Sequence, residues 1–277
     1  MRPVRHFPSL DRLSVLTAVI ILAYALARFL DLPAQAVGAT LFGATLGVAV
    51  SGPLLIQLLV AALISTGADL LIRSHPRYAE PAAPRTTVVH WIVPGAAALV
   101  VGAGLERLPD GPAWWAGLAG AAFTLMAVLV AEFTVVDHAD PGHDAAGLAL
   151  GALAYGLALV MFAILHSSGM RALAAAGIAG VVAAGLAWRL FVLNGASLAC
   201  GALYGLVVGL ICAEALWAVL YWRVGPGAAA ALLMLVFYLS AGLAGQHLAG
   251  RLTRRVWLEY GLVGLLGAGL LAVYLLR

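Results

Sequence analysis

Seven ionisable side chains interrupt stretches that are otherwise apolar: Asp69, His90, Glu132, Arg189, Glu214, His247 and Glu259. Such a group is costly in a lipid-facing position, so each is expected to face protein or water, and each is a candidate site residue. Glu214 stands in the stretch 195–222, which is long and apolar enough to cross a bilayer as one helix. Gly201, Gly205 and Gly209 repeat every four residues there and make a smooth seam for close approach of another helix. At about 100° per residue, Glu214 points roughly opposite the middle of that seam. With both faces covered, this helix is expected inside a bundle rather than on its rim. Glu214 is then a candidate proton site for transport, and equally a hydrogen-bonding group that holds a neighbouring helix.

The other groups suggest chemistry of a different kind. Asp69, His90, Glu132, Arg189, His247 and Glu259 all fall near the same ends of their spans. Arg189 is suited to hold an anionic head group or to pair with Glu132 or Asp69, which would make an inner polar cavity. The plainer alternative is that span ends carry polar residues that cap, snorkel or pair. The loop Asp137, His138, Asp140, His143 and Asp144 offers ligands of the kind zinc or manganese takes. Its spacing fits no zinc pattern, Pro141-Gly142 reads as a turn, and an Asp just before Ala145 suits a helix N-cap. A solvated loop is therefore expected, with no metal. Ser167 and Ser168 after His166 lack the context of a catalytic set, so no catalytic residue and no cofactor is expected.

Composition sets the elements that must position these groups. Of 277 residues, 64% are hydrophobic and 10% charged, against about 25% charged in soluble domains. The formal net charge of +3 has no clustered basic face behind it, which argues against nucleic-acid binding. All basic residues are arginine. Without lysine there is no Schiff-base chemistry and no P-loop. Cys200 and Cys212 lie three turns apart on one expected helix, out of disulfide range. Apolar runs predict spans at 13–30, 53–72, 87–105, 113–136, 145–166, 170–193, 195–222, 226–248 and 255–276. Trp114, Trp115, Tyr221, Trp222 and Trp257 mark their ends as an aromatic belt. The segment 37–52 is short and rich in Gly, Thr and Val; it reads as a thin helix, a re-entrant segment or a small β-hairpin.

The expected fold is an all-α polytopic transmembrane bundle of about nine spans, one integral domain over 1–277. Arginine counting favours nine spans over ten. With the N-terminus inside, Arg2, Arg5, Arg12, Arg73, Arg77, Arg85, Arg189, Arg251, Arg254 and Arg255 lie on the cytoplasmic side. Only Arg28, Arg107, Arg171, Arg223 and Arg277 lie outside. If 37–52 crossed, the bias would vanish.

Two stretches carry a resemblance. TGADLLIRSHP at 66–76, followed by HWIVP at 90–94, resembles an uncharacterised family of multi-pass bacterial membrane proteins, a domain of unknown function. The similar order of spans covers most of the chain. The resemblance implies a membrane location and no activity. It singles out Asp69, Arg73, His75, His90 and Trp91, which the nine-span topology gathers around one cytoplasmic hairpin. Two functions compete. One is a non-enzymatic structural, accessory or lipid-interacting protein of a bacterial inner membrane, working with lipids, a protein partner or further copies of itself. The other is a transporter or channel for a small solute, ion or lipid. A transporter needs a continuous polar path from Glu214 to the inner group. An accessory protein needs a helix face left unpaired by its own bundle.

Overall fold

The computed structural model describes residues 7–29, 35–41, 44–50, 52–79 and 86–275. Among them are nine α-helices: α1 (Leu10–Phe29), α2 (Gly52–Arg73), α3 (Val89–Leu105), α4 (Pro112–Thr134), α5 (His143–Ser167), α6 (Ala172–Leu193), α7 (Leu198–Leu220), α8 (Pro226–Leu248) and α9 (Arg254–Leu275). Each falls on one of the expected spans. Eight are long and apolar enough to cross a membrane. The ninth, α3, has 17 residues, the low end of the spanning range, and rises about 26 Å. The chain is a polytopic helical membrane protein.

Between α1 and α2 the chain makes two antiparallel strands, β1 (Gln35–Leu41) and β2 (Ala44–Val50). Their register runs from Gln35 opposite Val50 to Leu41 opposite Ala44. Of the three readings of 37–52, the structure takes the hairpin. Gly, Thr and Val at these positions disfavour a helix and tolerate extended backbone. Each strand has seven residues, short of the ~9–11 that a spanning strand needs. A lone pair of strands also has two open edges, which hydrocarbon cannot satisfy. The hairpin therefore belongs at the membrane surface, and α1 and α2 leave and re-enter on the same side.

The chain divides into two compact units, Met1–Leu150 and Gly151–Arg277, with the division inside α5. In the first unit α1 packs on α2 and α4, α3 on α2 and α4, and α2 also on α4. That is an up-and-down four-helix arrangement, as short connections favour. Leu13, Ala68, Leu71, Leu129 and Phe133 form a core cluster where α1 begins and α2 and α4 end. Toward the other end, the buried Tyr24 hydroxyl donates to the Ala98 carbonyl at 2.7 Å and fastens α1 to α3. There Arg28 also pairs with Asp110, beside Trp114 and Trp115, whose rings meet edge to face.

In the second unit α6 and α7 form a close pair, α8 packs on both, and α9 packs on α8. The turn between α6 and α7 uses Gly195 at φ 90°, a left-handed position that suits glycine, and Ser197 caps α7 by accepting from the Cys200 N–H. The expected glycine seam is real. A Cβ at Gly205 would stand 2.7 Å from the Ala184 carbonyl oxygen, and one at Gly209 would strike the Gly180 carbonyl. Phe237 of α8 is fully buried beside Tyr155 and Phe162 of α5.

Candidate functional site

At one end of the first unit, the last turns of α2 and α4 meet the entry of α3. Asp69 and Arg73 sit one turn apart on α2, so their side chains share a face. Arg73 Nε donates to Asp69 Oδ2 at 2.7 Å. The other carboxylate oxygen accepts from two groups at the start of α3: the Thr87 hydroxyl and Trp91 Nε1, the latter at 3.1 Å. Arg73 also reaches Thr87 Oγ1 at 3.4 Å. Asp69 thus takes three donors and bolts α2 to the entry of α3. His90 turns the other way, and its Nδ1 lies 2.7 Å from Oε2 of Glu132 on α4. Glu132 has no exposed surface, and the His90 side chain is 13% exposed.

A second layer covers this one. His75, buried just after α2, packs its ring 4.6 Å from that of Phe133. Its Nδ1 accepts from the Arg77 backbone N–H at 3.2 Å. Arg77 Nη1 then donates to Asp137 Oδ1 at 3.0 Å, and the Ala139 N–H donates to the same oxygen at 3.0 Å. The Ala139 N–H first, and then the positive charge of Arg77, hold the Asp137 carboxyl below its usual range.

The structure therefore brings Asp69, His90 and Glu132 into one polar layer, together with Arg73, His75 and Trp91. Thr87 and the Arg77–Asp137 pair were not singled out in the sequence. The signal for Thr87 was its spacing of four residues before Trp91, which puts both donors on one side of the α3 entry.

Three expectations need correction. Glu214 does not face the interior of its unit: it is exposed on α7, while Gly201, Gly205 and Gly209 are buried against α6. The seam face alone is covered, so α7 presents its carboxylate face outward. Glu259 is exposed on α9 and pairs with Arg255 of its own helix at 2.8 Å, so it belongs to a helix end and to no interior cavity. Asp144 is not an N-cap, because α5 starts one residue earlier, at His143. Arg189 is buried within α6 in the second unit. His247 sits beside the ring of Tyr204 at 5.6 Å.

In the loop before α5, Asp140 Oδ1 accepts from the Gly142 N–H at 2.7 Å, and the rings of His138 and His143 stack at 4.4 Å. Among the described residues no three metal-ligating side chains converge. Asp137 is engaged by Arg77 and the Ala139 N–H, and Asp140 by the turn.

Residues 32–274 match a family described as "Protein of unknown function (DUF5656)". The chain belongs to that family. No curated protein and no solved structure matches it. The match starts after α1 and takes in the hairpin, the whole polar layer and α9 through Tyr274. The DUF5656 description assigns no activity, so no catalytic residue is carried over to this chain.

Proposed function

We propose that this is a non-enzymatic accessory protein of a bacterial inner membrane, with its N-terminus in the cytoplasm. It acts through its helix faces on lipids and on other membrane proteins. The observation that carries this reading is the filled carboxylate of Asp69, which takes donors from Arg73, Thr87 and Trp91. A fully partnered carboxylate joining two elements suits a clamp better than a working acid or base, which needs an open side toward its substrate. The arginine bias of the nine-span topology supports the orientation, and the surface hairpin supports the span count.

A transporter is the second reading, favoured by the buried acid–base pair His90–Glu132. One experiment separates the two. The protein is reconstituted into vesicles loaded with a pH dye, and proton and cation flux are followed for wild type, Glu132→Gln and Asp69→Asn. The accessory reading expects no flux above that of empty vesicles. Flux that Glu132→Gln abolishes, with an unchanged melting temperature, would establish transport instead.

A further inference from the structure

The end of the first unit away from the polar layer carries an open cavity of about 420 Å³, lined by Arg28, Phe29, Asp110, Gly111, Trp114 and Trp115. Small-molecule sites occupy about 300–1,000 Å³. All six residues belong to the first unit. α1 has 20 residues and rises about 30 Å, the thickness of the hydrocarbon core. Arg28 lies in its last turn, and Trp114 and Trp115 lie in the first turn of α4. The cavity therefore stands at head-group depth, where tryptophan is at home.

Arg28 Nη2 pairs with Asp110 Oδ1, and among the described residues neither side chain has another partner. Guanidinium N–H groups and Asp110 Oδ2 are left over. Trp114 is 5% exposed, and among the described residues its indole N–H has no acceptor. A buried donor in that position calls for an acceptor from a ligand. α4 also starts beside the cavity, from Gly111 and with no side-chain cap, an end that favours an anionic group. Asp110 and the exposed ring of Trp115 suit a cation instead, the ring through its face. A bare anion meets Asp110 and a bare cation meets Arg28, so a ligand of one sign is repelled by half of the site. We propose that this cavity binds the zwitterionic head group of a phospholipid, its phosphate on Arg28 and the Trp114 N–H, its ammonium between Asp110 and Trp115. Phe29, exposed beside them, gives the glycerol and acyl end an apolar border, which a free zwitterion leaves bare. The site shares no residue with the polar layer, so it stands whether the protein is an accessory protein or a transporter.

The test titrates the delipidated protein in detergent with phosphatidylethanolamine and, separately, with phosphatidylglycerol, and counts bound lipid by native mass spectrometry. Wild type is expected to hold one phosphatidylethanolamine about two- to five-fold more tightly than phosphatidylglycerol, the size of one exposed charged contact. Asp110→Asn is expected to erase that preference. Trp115→Leu is expected to weaken phosphatidylethanolamine alone, by about two- to five-fold, and Arg28→Gln to weaken both lipids. The wild-type preference depends on no variant folding, and Asp110 and Trp115 are both exposed, so their variants are expected to keep the melting temperature within a few degrees. Equal affinity of wild type for the two lipids would overturn the proposal. So would a preference that survives both Asp110→Asn and Trp115→Leu. Glycerophosphoethanolamine, the head group without its chains, is expected to compete only weakly. Full displacement of the lipid by an equal concentration of it would overturn a phospholipid as the ligand and leave a soluble zwitterion.

Discussion

Asp69 shows what a carboxylate does when every donor around it comes from its own unit. Removing it leaves the Thr87 hydroxyl, which is buried, together with Trp91 Nε1 and the Arg73 guanidinium, without their acceptor. Each stranded buried donor costs about 1–3 kcal/mol. Asp69→Ala is therefore expected to cost about 2–4 kcal/mol, read as a fall in melting temperature in detergent. Asp69→Asn keeps one oxygen for Thr87 and Trp91 and is expected to lose roughly half as much. Equal losses for the two variants would mean that charge, rather than the shared acceptor, holds α2 to α3. Asp137 makes a separate prediction about pH. Its carboxyl titrates below the ordinary value of 3.8, chiefly through the Ala139 N–H and then Arg77. A depressed folded-state value gives stability that is complete above the unfolded value and lost as pH falls through the folded one. The melting-temperature gap between wild type and Asp137→Asn is expected to stay constant from pH 7 to about 5 and to close below about 4. A gap that does not narrow at all as pH falls below about 4 would show that ionisation of this carboxyl contributes nothing.

At the level of the helices, the glycines of α6 and α7 divide into those that touch and those that do not. Gly209 faces the backbone of Gly180 and the side chain of Ala184, whereas Gly177 has open space around it. Gly209→Ala forces two backbones apart and is expected to cost about 1–3 kcal/mol. Gly177→Ala is expected to be neutral or to stabilise by about 0.5–1 kcal/mol. Thermal unfolding of the two variants in the same detergent checks the contrast, and similar losses would refute the seam as a packing surface. This contrast also marks how far the sequence could be read. The seam at Gly201, Gly205 and Gly209 was legible because its period of four places three small residues on one side of a helix. On α6, Gly180 packs against Gly209 and Ala213, while Gly177, three residues earlier, meets nothing. Nearly every residue of these helices is apolar, so the pattern that separates inside from outside in a soluble helix is missing. For the same reason the helices themselves were plain in the sequence, while the facing of Glu214 was not. The polar layer was half legible. Asp69, Arg73, His75, His90 and Trp91 stood out by type, but Thr87 looked like the ordinary start of a span, and pairing His90 with Glu132 needs contact between helices 42 positions apart.

For the molecule in its membrane, the hairpin decides the topology of the first unit. Two seven-residue strands cannot cross, so β1 and β2 stay on the side where α1 ends and α2 begins. If α2 and α3 both cross, the α3–α4 turn returns to that same side, and the α4–α5 loop lies on the other. The weak link is α3, at 17 residues. Near the start of α3 the polar layer of Thr87, His90 and Trp91 can lie in the head-group zone, which leaves the apolar remainder to meet a bilayer that thins slightly around it. Single cysteines test this in a background with Cys200 and Cys212 replaced by serine. Ala44→Cys marks the hairpin, Pro109→Cys the α3–α4 turn and Ala139→Cys the α4–α5 loop, the last two at exposed positions. A membrane-impermeant maleimide added to intact spheroplasts is expected to label Ala44→Cys and Pro109→Cys, and to reach Ala139→Cys only after permeabilisation. Labelling of Ala44→Cys and Ala139→Cys together, with Pro109→Cys protected, would mean that α3 does not cross. The arginine bias beyond it would then reverse: the segment holding Arg251, Arg254 and Arg255 would stand outside, an arrangement that the cytoplasmic preference for arginine opposes.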